Sequence, residues 1–162
     1  MSGTDPGSLQ TRARARALRL LAARPRTEAQ LRDRLNRAGF AEVAEETIAW
    51  VRGFGYVDDR AFARDRARAL LDEGRVGPRL AEQRLVAAGI PRQDARDAVR
   101  QAIGDTEAAR CRTLALRRAR GPVDALDDRS RARLTRFLLA RGFSGNAVSR
   151  ALGVHVDEGE DR

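Results

Sequence analysis

Three times in this chain a leucine is followed four residues later by glycine and then by a large apolar residue: Leu35 with Gly39 and Phe40, Leu85 with Gly89 and Ile90, Leu138 with Gly142 and Phe143. This spacing matches a Schellman helix end, in which glycine takes the left-handed position just past the helix. The leucine one turn back then touches the residue after the glycine. The recurrence, at intervals of about fifty residues, marks an internal repeat. One such repeat is too small to bury much apolar surface alone, so neighbours must share interfaces. The expected fold is all-α, with three tandem three-helix repeats forming an elongated, curved helical array; a single globular bundle is the alternative.

Helix signals divide the chain accordingly. Residues 1–10 are polar and read as a disordered leader. Repeat 1 covers 11–57. Its first helix, Thr11 to Arg24, sets Leu18, Leu21 and Ala22 on an apolar face opposite Arg12, Arg16 and Arg19, and ends before Pro25. Thr27-Glu28-Ala29-Gln30 spells a capping box, and a third helix carries Ile48, Trp50 and Val51, with Trp50 as a core anchor. Gly55 stops that helix. Asp58 and Asp59 then start the next as acceptors for free N–H groups, with Tyr56 or Val57 stapling the entry to Phe62; coordination of a cation by the two carboxylates is the weaker reading. Repeat 2 covers 58–104. It has a long helix burying Phe62, Ala63, Ala69 and Leu70, a helix started by Gly77-Pro78, and a third with Ala95, Val99, Ala102 and Ile103 in one stripe. Repeat 3 covers 105–153, and 154–162 is an acidic tail.

Composition removes most chemistries. All 32 basic residues are arginine, so there is no lysine for a phosphate loop or a Schiff base. One cysteine, Cys111, and one histidine, His155, exclude an internal disulfide, a histidine-rich metal site and a triad. The carboxylate pairs Asp58-Asp59, Asp127-Asp128 and Glu45-Glu46 diverge on a helix and have no partner base. No catalytic, cofactor or metal residue is expected. No apolar run reaches the length of a membrane span, and a cytoplasmic setting suits the cysteine usage.

Charge is the remaining signal. The net charge is +9. Residues 1–26 hold six arginines against one acid and 105–141 ten against five, while 27–104 hold fourteen against thirteen. Arg60, Arg64 and Arg68 recur every fourth residue and form a ridge, extended by Arg75 and Arg79. Arg110, Arg112, Arg117, Arg118 and Arg120 make a second cluster, with Arg131, Arg133 and Arg136 on the next helix. Guanidinium groups suit bidentate contact with phosphates or with a partner's carboxylates. A solvated face paired with acids such as Asp72 is the plainer reading of any one arginine. Sequence-independent binding to DNA would use the same surface. The segment Ala140 to Val154 also has the look of a helix-turn-helix recognition element, although repeat structure explains it more simply.

The run Gly55-Tyr56-Val57-Asp58-Asp59-x-x-Phe62-Ala63, with Gly77-Pro78, Leu85, Gly89-Ile90 and Phe137-Leu138-x-x-Arg141-Gly142-Phe143, resembles the bacterial regulatory protein RecX family from about Leu18 to Leu152. At position 66 that family often has an aromatic residue where this chain has Arg66. A monomer with no cofactor is expected, and the resemblance implies a three-repeat, nine-helix protein without catalysis. It implies binding to the RecA recombinase and its filament on DNA, and restraint of ATP hydrolysis and strand exchange, with direct contact to single- or double-stranded DNA as a further option. The arginines of the ridge and of the second cluster are the candidate contacts. Gly55, Tyr56, Asp58, Asp59, Phe62, Gly77, Leu85, Gly89, Leu138, Gly142 and Phe143 are expected to be structural.

Overall fold

A computed structural model describes residues 6–104, 106–119 and 121–153. Among these there are nine α-helices and no strand: α1 (Pro6–Ala23), α2 (Glu28–Arg37), α3 (Ala44–Gly53), α4 (Asp59–Asp72), α5 (Pro78–Ala87), α6 (Arg92–Ile103), α7 (Glu107–Ala119), α8 (Asp128–Ala140) and α9 (Gly145–Leu152). Short 3-10 turns at Ala41–Val43 and Val123–Ala125 link the elements. Helix α1 begins at Pro6, so residues 6–10, expected in the leader, form its first turns; proline suits that position because its missing N–H has no helical partner to lose. The tail from residue 154 lies outside the described residues.

Each triplet closes on its own core: α1 to α3 around Leu31, Leu35, Ile48 and Val51, α4 to α6 around Leu70, Leu71, Leu85 and Ile90, and α7 to α9 around Leu138, Phe143 and Val148. The helix starts follow local chemistry. Side chains of Thr27, Asp58, Asp127 and Ser144 accept the N–H of the residue three positions on, while Pro78 opens α5 behind Gly77. Three Schellman ends stand where the sequence places them. Phe40, Ile90 and Phe143 donate to the carbonyls of Leu35, Leu85 and Leu138 at 3.0, 3.1 and 3.3 Å, over glycines with φ of 82°, 93° and 87°. A fourth, unforeseen, closes α3 through Tyr56 N–H to Val51 at 2.9 Å across Gly55.

Alanine misled the assignment of faces. The buried side of α1 is Ala13 and Ala17 with Leu9, Leu20 and Leu21 partly covered; Leu18 and Ala22 are exposed. On α4 the buried residues are Ala63, Ala67, Leu70 and Leu71, whereas Ala69 is exposed and Phe62 only half-buried. Small residues four apart let helices approach closely, and that choice belongs to packing because alanine is at home on either face. Trp50 is half-buried beneath the Arg14 guanidinium, 5.0 Å from its ring, and so sits at the core margin instead of within it.

The repeats are joined through the ends of their middle helices. Gly77 and Arg79, at the start of α5, donate N–H bonds to the last carbonyls of α8, Arg141 at 2.7 Å and Gly142 at 3.1 Å. The contact is backbone on backbone. A Cβ on Gly77 would lie 2.5 Å from the Gly142 carbonyl carbon, and one on Gly142 would collide with Leu80. At the other end of α5 the buried Thr27 hydroxyl donates to the Ala88 carbonyl at 2.6 Å and accepts the Gln30 N–H at 3.1 Å, so one oxygen serves both helices. Beside it, a Cβ on Gly89 would strike Ala29. The middle helices therefore run end to end, α8 to α5 to α2, with carbonyls just past one helix accepting from groups at the start of the next.

Gly39 and Gly142 have the same left-handed backbone, but a Cβ on Gly39 meets open space. Gly39→Ala should cost about 1–2 kcal/mol from backbone strain alone. Gly142→Ala should cost a further 1–3 kcal/mol or about that for overpacking the joint. Urea denaturation of both variants checks the difference, and equal losses would contradict the joint.

Candidate partner and nucleic-acid interface

The ridge arginines Arg60, Arg64 and Arg68 all stand exposed on α4, and no carboxylate among the described residues lies within ion-pair distance of them. Asp72, expected to pair with this face, is instead held by Arg110 at 3.3 Å. Arg60 and Arg64 edge a shallow cleft with Asp94 and Asp97 of α6, but Asp97 is taken by Arg100 at 2.6 Å. Arg75 and Arg79 follow, also exposed. The Arg117 guanidinium approaches to 3.8 Å from where a Cβ on Gly74 would sit, which brings the second cluster up to the end of α4.

Within that cluster the arginines have different employments. Arg112, Arg117, Arg118 and Arg133 are exposed. Arg118 also lies 5.3 Å from the centre of the Phe137 ring, with Arg141 at 5.0 Å. Arg131 departs from its expected role: it is half-buried and bonds the Leu126 carbonyl at 3.2 Å, fixing the turn before α8. Arg110 likewise donates to the Leu71 carbonyl at 2.7 Å and clamps repeat 3 to the C-terminal end of α4. Arg120 and His155 lie outside the described residues.

The two aspartates part company. Asp58 caps its own helix by accepting the Ala61 N–H at 2.9 Å, but Asp59 reaches across to accept the Glu28 N–H at 2.9 Å and caps α2 in the preceding repeat. Burial, and then the nearby Glu28 and Asp58, hold the Asp59 carboxyl above the usual carboxylate range despite that hydrogen bond. No group of three or more His, Cys, Asp or Glu among the described residues could hold a metal. Tyr56 serves through its backbone, since its side chain is 57% exposed and stacks on Phe54, itself 63% exposed, with 6.1 Å between ring centres. Trp50 meets Phe54 edge-on at 5.1 Å, so three aromatic rings form a surface ladder that the sequence reading did not see; the spacing Trp50, Phe54, Tyr56 around Gly55 was the available signal. Leu85, Leu138 and Phe143 are fully buried.

Other functions lose ground. The Cys111 thiol is buried, and burial together with Glu107 pushes it up to about 12, so it is no nucleophile near neutral pH. Helix α9 buries Gly145, Ala147, Val148, Ala151 and Leu152 against its own repeat, which leaves Asn146 and Arg150 exposed and too little face to read a major groove. No helix of the described residues is long and apolar enough to cross a membrane.

Fold and surface together define a helical-repeat protein that presents exposed arginines on its helices. Comparison with known proteins gives the family. Residues 13–50 match the first three-helix domain of RecX and residues 105–152 the third. The chain is 40% identical over 144 residues to the regulatory protein RecX of Syntrophotalea carbinolica, covering 83% of this chain and 90% of that one. It is 36% identical over 151 residues to that of Thermus thermophilus, covering 90% and 94%. A crystal structure of a regulatory protein RecX superposes with a TM-score of 0.79 at 27% identity over 94% of this chain and 82% of the other. The chain belongs to the RecX regulatory protein family, which is named for regulation and not for a reaction.

Two outcomes test this division of labour. Arg110→Ala should destabilise the protein by about 1.5–3 kcal/mol, the range for hydrogen bonds to charged groups, whereas Arg112→Ala should leave the denaturation midpoint unchanged. Asp59→Asn keeps an acceptor for Glu28 without the charge. Because the folded carboxyl titrates above the unfolded one, ionising Asp59 weakens the fold as pH rises through the folded value. The variant should therefore gain on the wild type from acid to neutral pH in urea titrations; a constant difference would refute the shift.

Proposed function

We propose that this protein is a non-catalytic regulator that binds the RecA recombinase and its filament on DNA and lowers RecA's ATP hydrolysis and strand exchange. It would act as a cytoplasmic monomer in DNA repair and recombination. The observation that carries the reading is the ridge Arg60, Arg64 and Arg68, without an ion-pair partner among the described residues, on the central repeat of a chain whose first and third repeats match RecX domains. From Arg60 to Arg68 the ridge rises about 12 Å, at 1.5 Å per residue, and its helix is anchored by Ala63, Ala67, Leu70 and Leu71 in the core of its repeat. A nucleoprotein filament offers phosphates and acidic protein surface in periodic array, so cations on successive repeats can engage successive protomers. Arg112, Arg117, Arg118 and Arg133 extend the contact; Arg131 does not, since it is committed to its own backbone.

A second reading is sequence-independent binding to DNA, favoured by a net charge of +9 carried wholly by arginine. Its affinity would fall with log salt at a slope of about −0.9 per phosphate neutralised on duplex DNA, whatever the sequence.

The test is steady-state ATP hydrolysis by RecA on single-stranded DNA, titrated with this protein and with the double variant Arg64→Glu/Arg68→Glu. The wild type should inhibit. The variant should need about tenfold more protein, a loss of about 1.4 kcal/mol, with its far-UV circular dichroism unchanged because both side chains are exposed. Unaltered inhibition by the variant removes the ridge from the mechanism. No inhibition by the wild type rejects the RecA reading and leaves the DNA reading in its place.

A further inference from the structure

A second cationic surface lies on the other side of α4. Residues two apart on a helix are separated by about 200° around the axis, so Arg66 faces away from Arg64 and Arg68. It faces an open groove of about 710 Å³ between repeats 1 and 2. Pro25, Phe62, Ala69 and Ala87 give the groove its apolar lining, and the exposed Arg24, Arg66 and Arg84 line it together with Asp65. The half-buried position of Phe62 now has an account, since part of the ring lines this groove instead of the core.

The groove is preformed. Its walls come from the turn before α2 on one side and from α4 and α5 on the other, and these are tied by the 2.6 Å bond from Thr27 to Ala88 and the 2.9 Å bond from Glu28 to Asp59. A rigid site does not have to order itself on binding. Its charge is unbalanced: Arg24, Arg66 and Arg84 are all exposed, and no carboxylate among the described residues lies within ion-pair distance of any of them.

From this geometry we propose that the groove is a docking site for an acidic peptide segment of a partner protein, with an apolar side chain seated against Phe62 and Ala87 and flanking carboxylates on Arg24, Arg66 and Arg84. Guanidinium groups take carboxylates in paired hydrogen bonds, and an apolar floor with charged rims is the pattern of peptide-in-groove recognition. A nucleic-acid strand fits less well. Stacking platforms for single strands combine several open ring faces with an uninterrupted cationic track, whereas here the lining has one ring, Phe62, among alanines and Pro25, and Asp65 stands among the arginines. The inference deepens the reading above by naming where the regulated protein would be gripped, and it rests on that reading only for the partner's identity.

The probe is a short fluorescein-labelled peptide with one phenylalanine between glutamates, followed by polarisation with the full-length protein. Saturable binding is expected, about tenfold weaker, or by about 1.4 kcal/mol, for Arg66→Glu/Arg84→Glu and unchanged for Arg64→Glu/Arg68→Glu. Replacing the peptide's phenylalanine by alanine, or its glutamates by glutamines, should weaken binding similarly. Absence of binding, indifference to Arg66→Glu/Arg84→Glu, or equal binding of the glutamine peptide overturns the proposal. So does an oligothymidylate that needs Arg66 and Arg84 where the peptide does not. RecA inhibition is measured separately: peptide docking without inhibition by the wild type rejects the RecA reading and keeps the groove, and inhibition without docking does the reverse.

Discussion

Everything in this structure depends on how one middle helix ends against the start of another. A helix leaves carbonyls unpaired at one end and N–H groups unpaired at the other. Here the N–H groups at the start of α5 bond the Arg141 and Gly142 carbonyls past α8, and the Thr27 hydroxyl at the start of α2 bonds the Ala88 carbonyl past α5. The negative end of one dipole faces the positive end of the next, which adds favourable electrostatics to the hydrogen bonds. Glycine is required at the α8–α5 joint because its two chains meet backbone to backbone, closer than any Cβ allows. Three modest cores are thereby tied end to end, joined further by the Asp59 bond to Glu28 and the Arg110 bond to Leu71.

Those ties give the charge its meaning. Arginines such as Arg32 with Glu45, Arg52 with Glu28 and Arg110 with Asp72 are spent inside the molecule. Those on the outer side of α4 and around the groove have no such partner among the described residues. An unpaired guanidinium on a flexible chain is only a solvated cation, whereas several held at set spacing form a surface that can match another. The same helix offers two such surfaces on opposite sides, with Ala63, Ala67 and Leu70 between them in the core.

The paired carboxylates show how function and structure can be confused in a sequence. Asp58-Asp59 invites a metal or an acid–base pair, yet one caps its own helix and the other caps a helix thirty-one residues earlier in the chain. Arg131 looks like any other cation of the second cluster until its bond to the Leu126 carbonyl is seen. Trp50 reads as a core anchor and sits half-buried at the core margin, while Tyr56, offered as a staple to the next helix, stands at the surface beside Phe54.

The sequence by itself determined what is local. Leu-x-x-x-Gly-apolar written three times set the helix ends, because only glycine takes the left-handed turn cheaply and the residues that close it are five apart. Thr27, Asp58, Asp127 and Ser144 set the helix starts for the same kind of reason, and arginine in place of lysine fixed the nature of the charge. Tertiary structure decided what depends on distance across the chain. It chose which alanines face inward, since alanine is indifferent to burial, and so turned Leu18 and Ala69 outward. It also sent Asp59 to another repeat, consumed Arg110 and Arg131 in packing, and brought Arg24, Arg66 and Arg84 to one groove. Those arrangements arise from contacts between elements, within a repeat for the alanines and Arg131 and between repeats for Asp59, Arg110 and the groove, and periodicity within a helix carries no information about them.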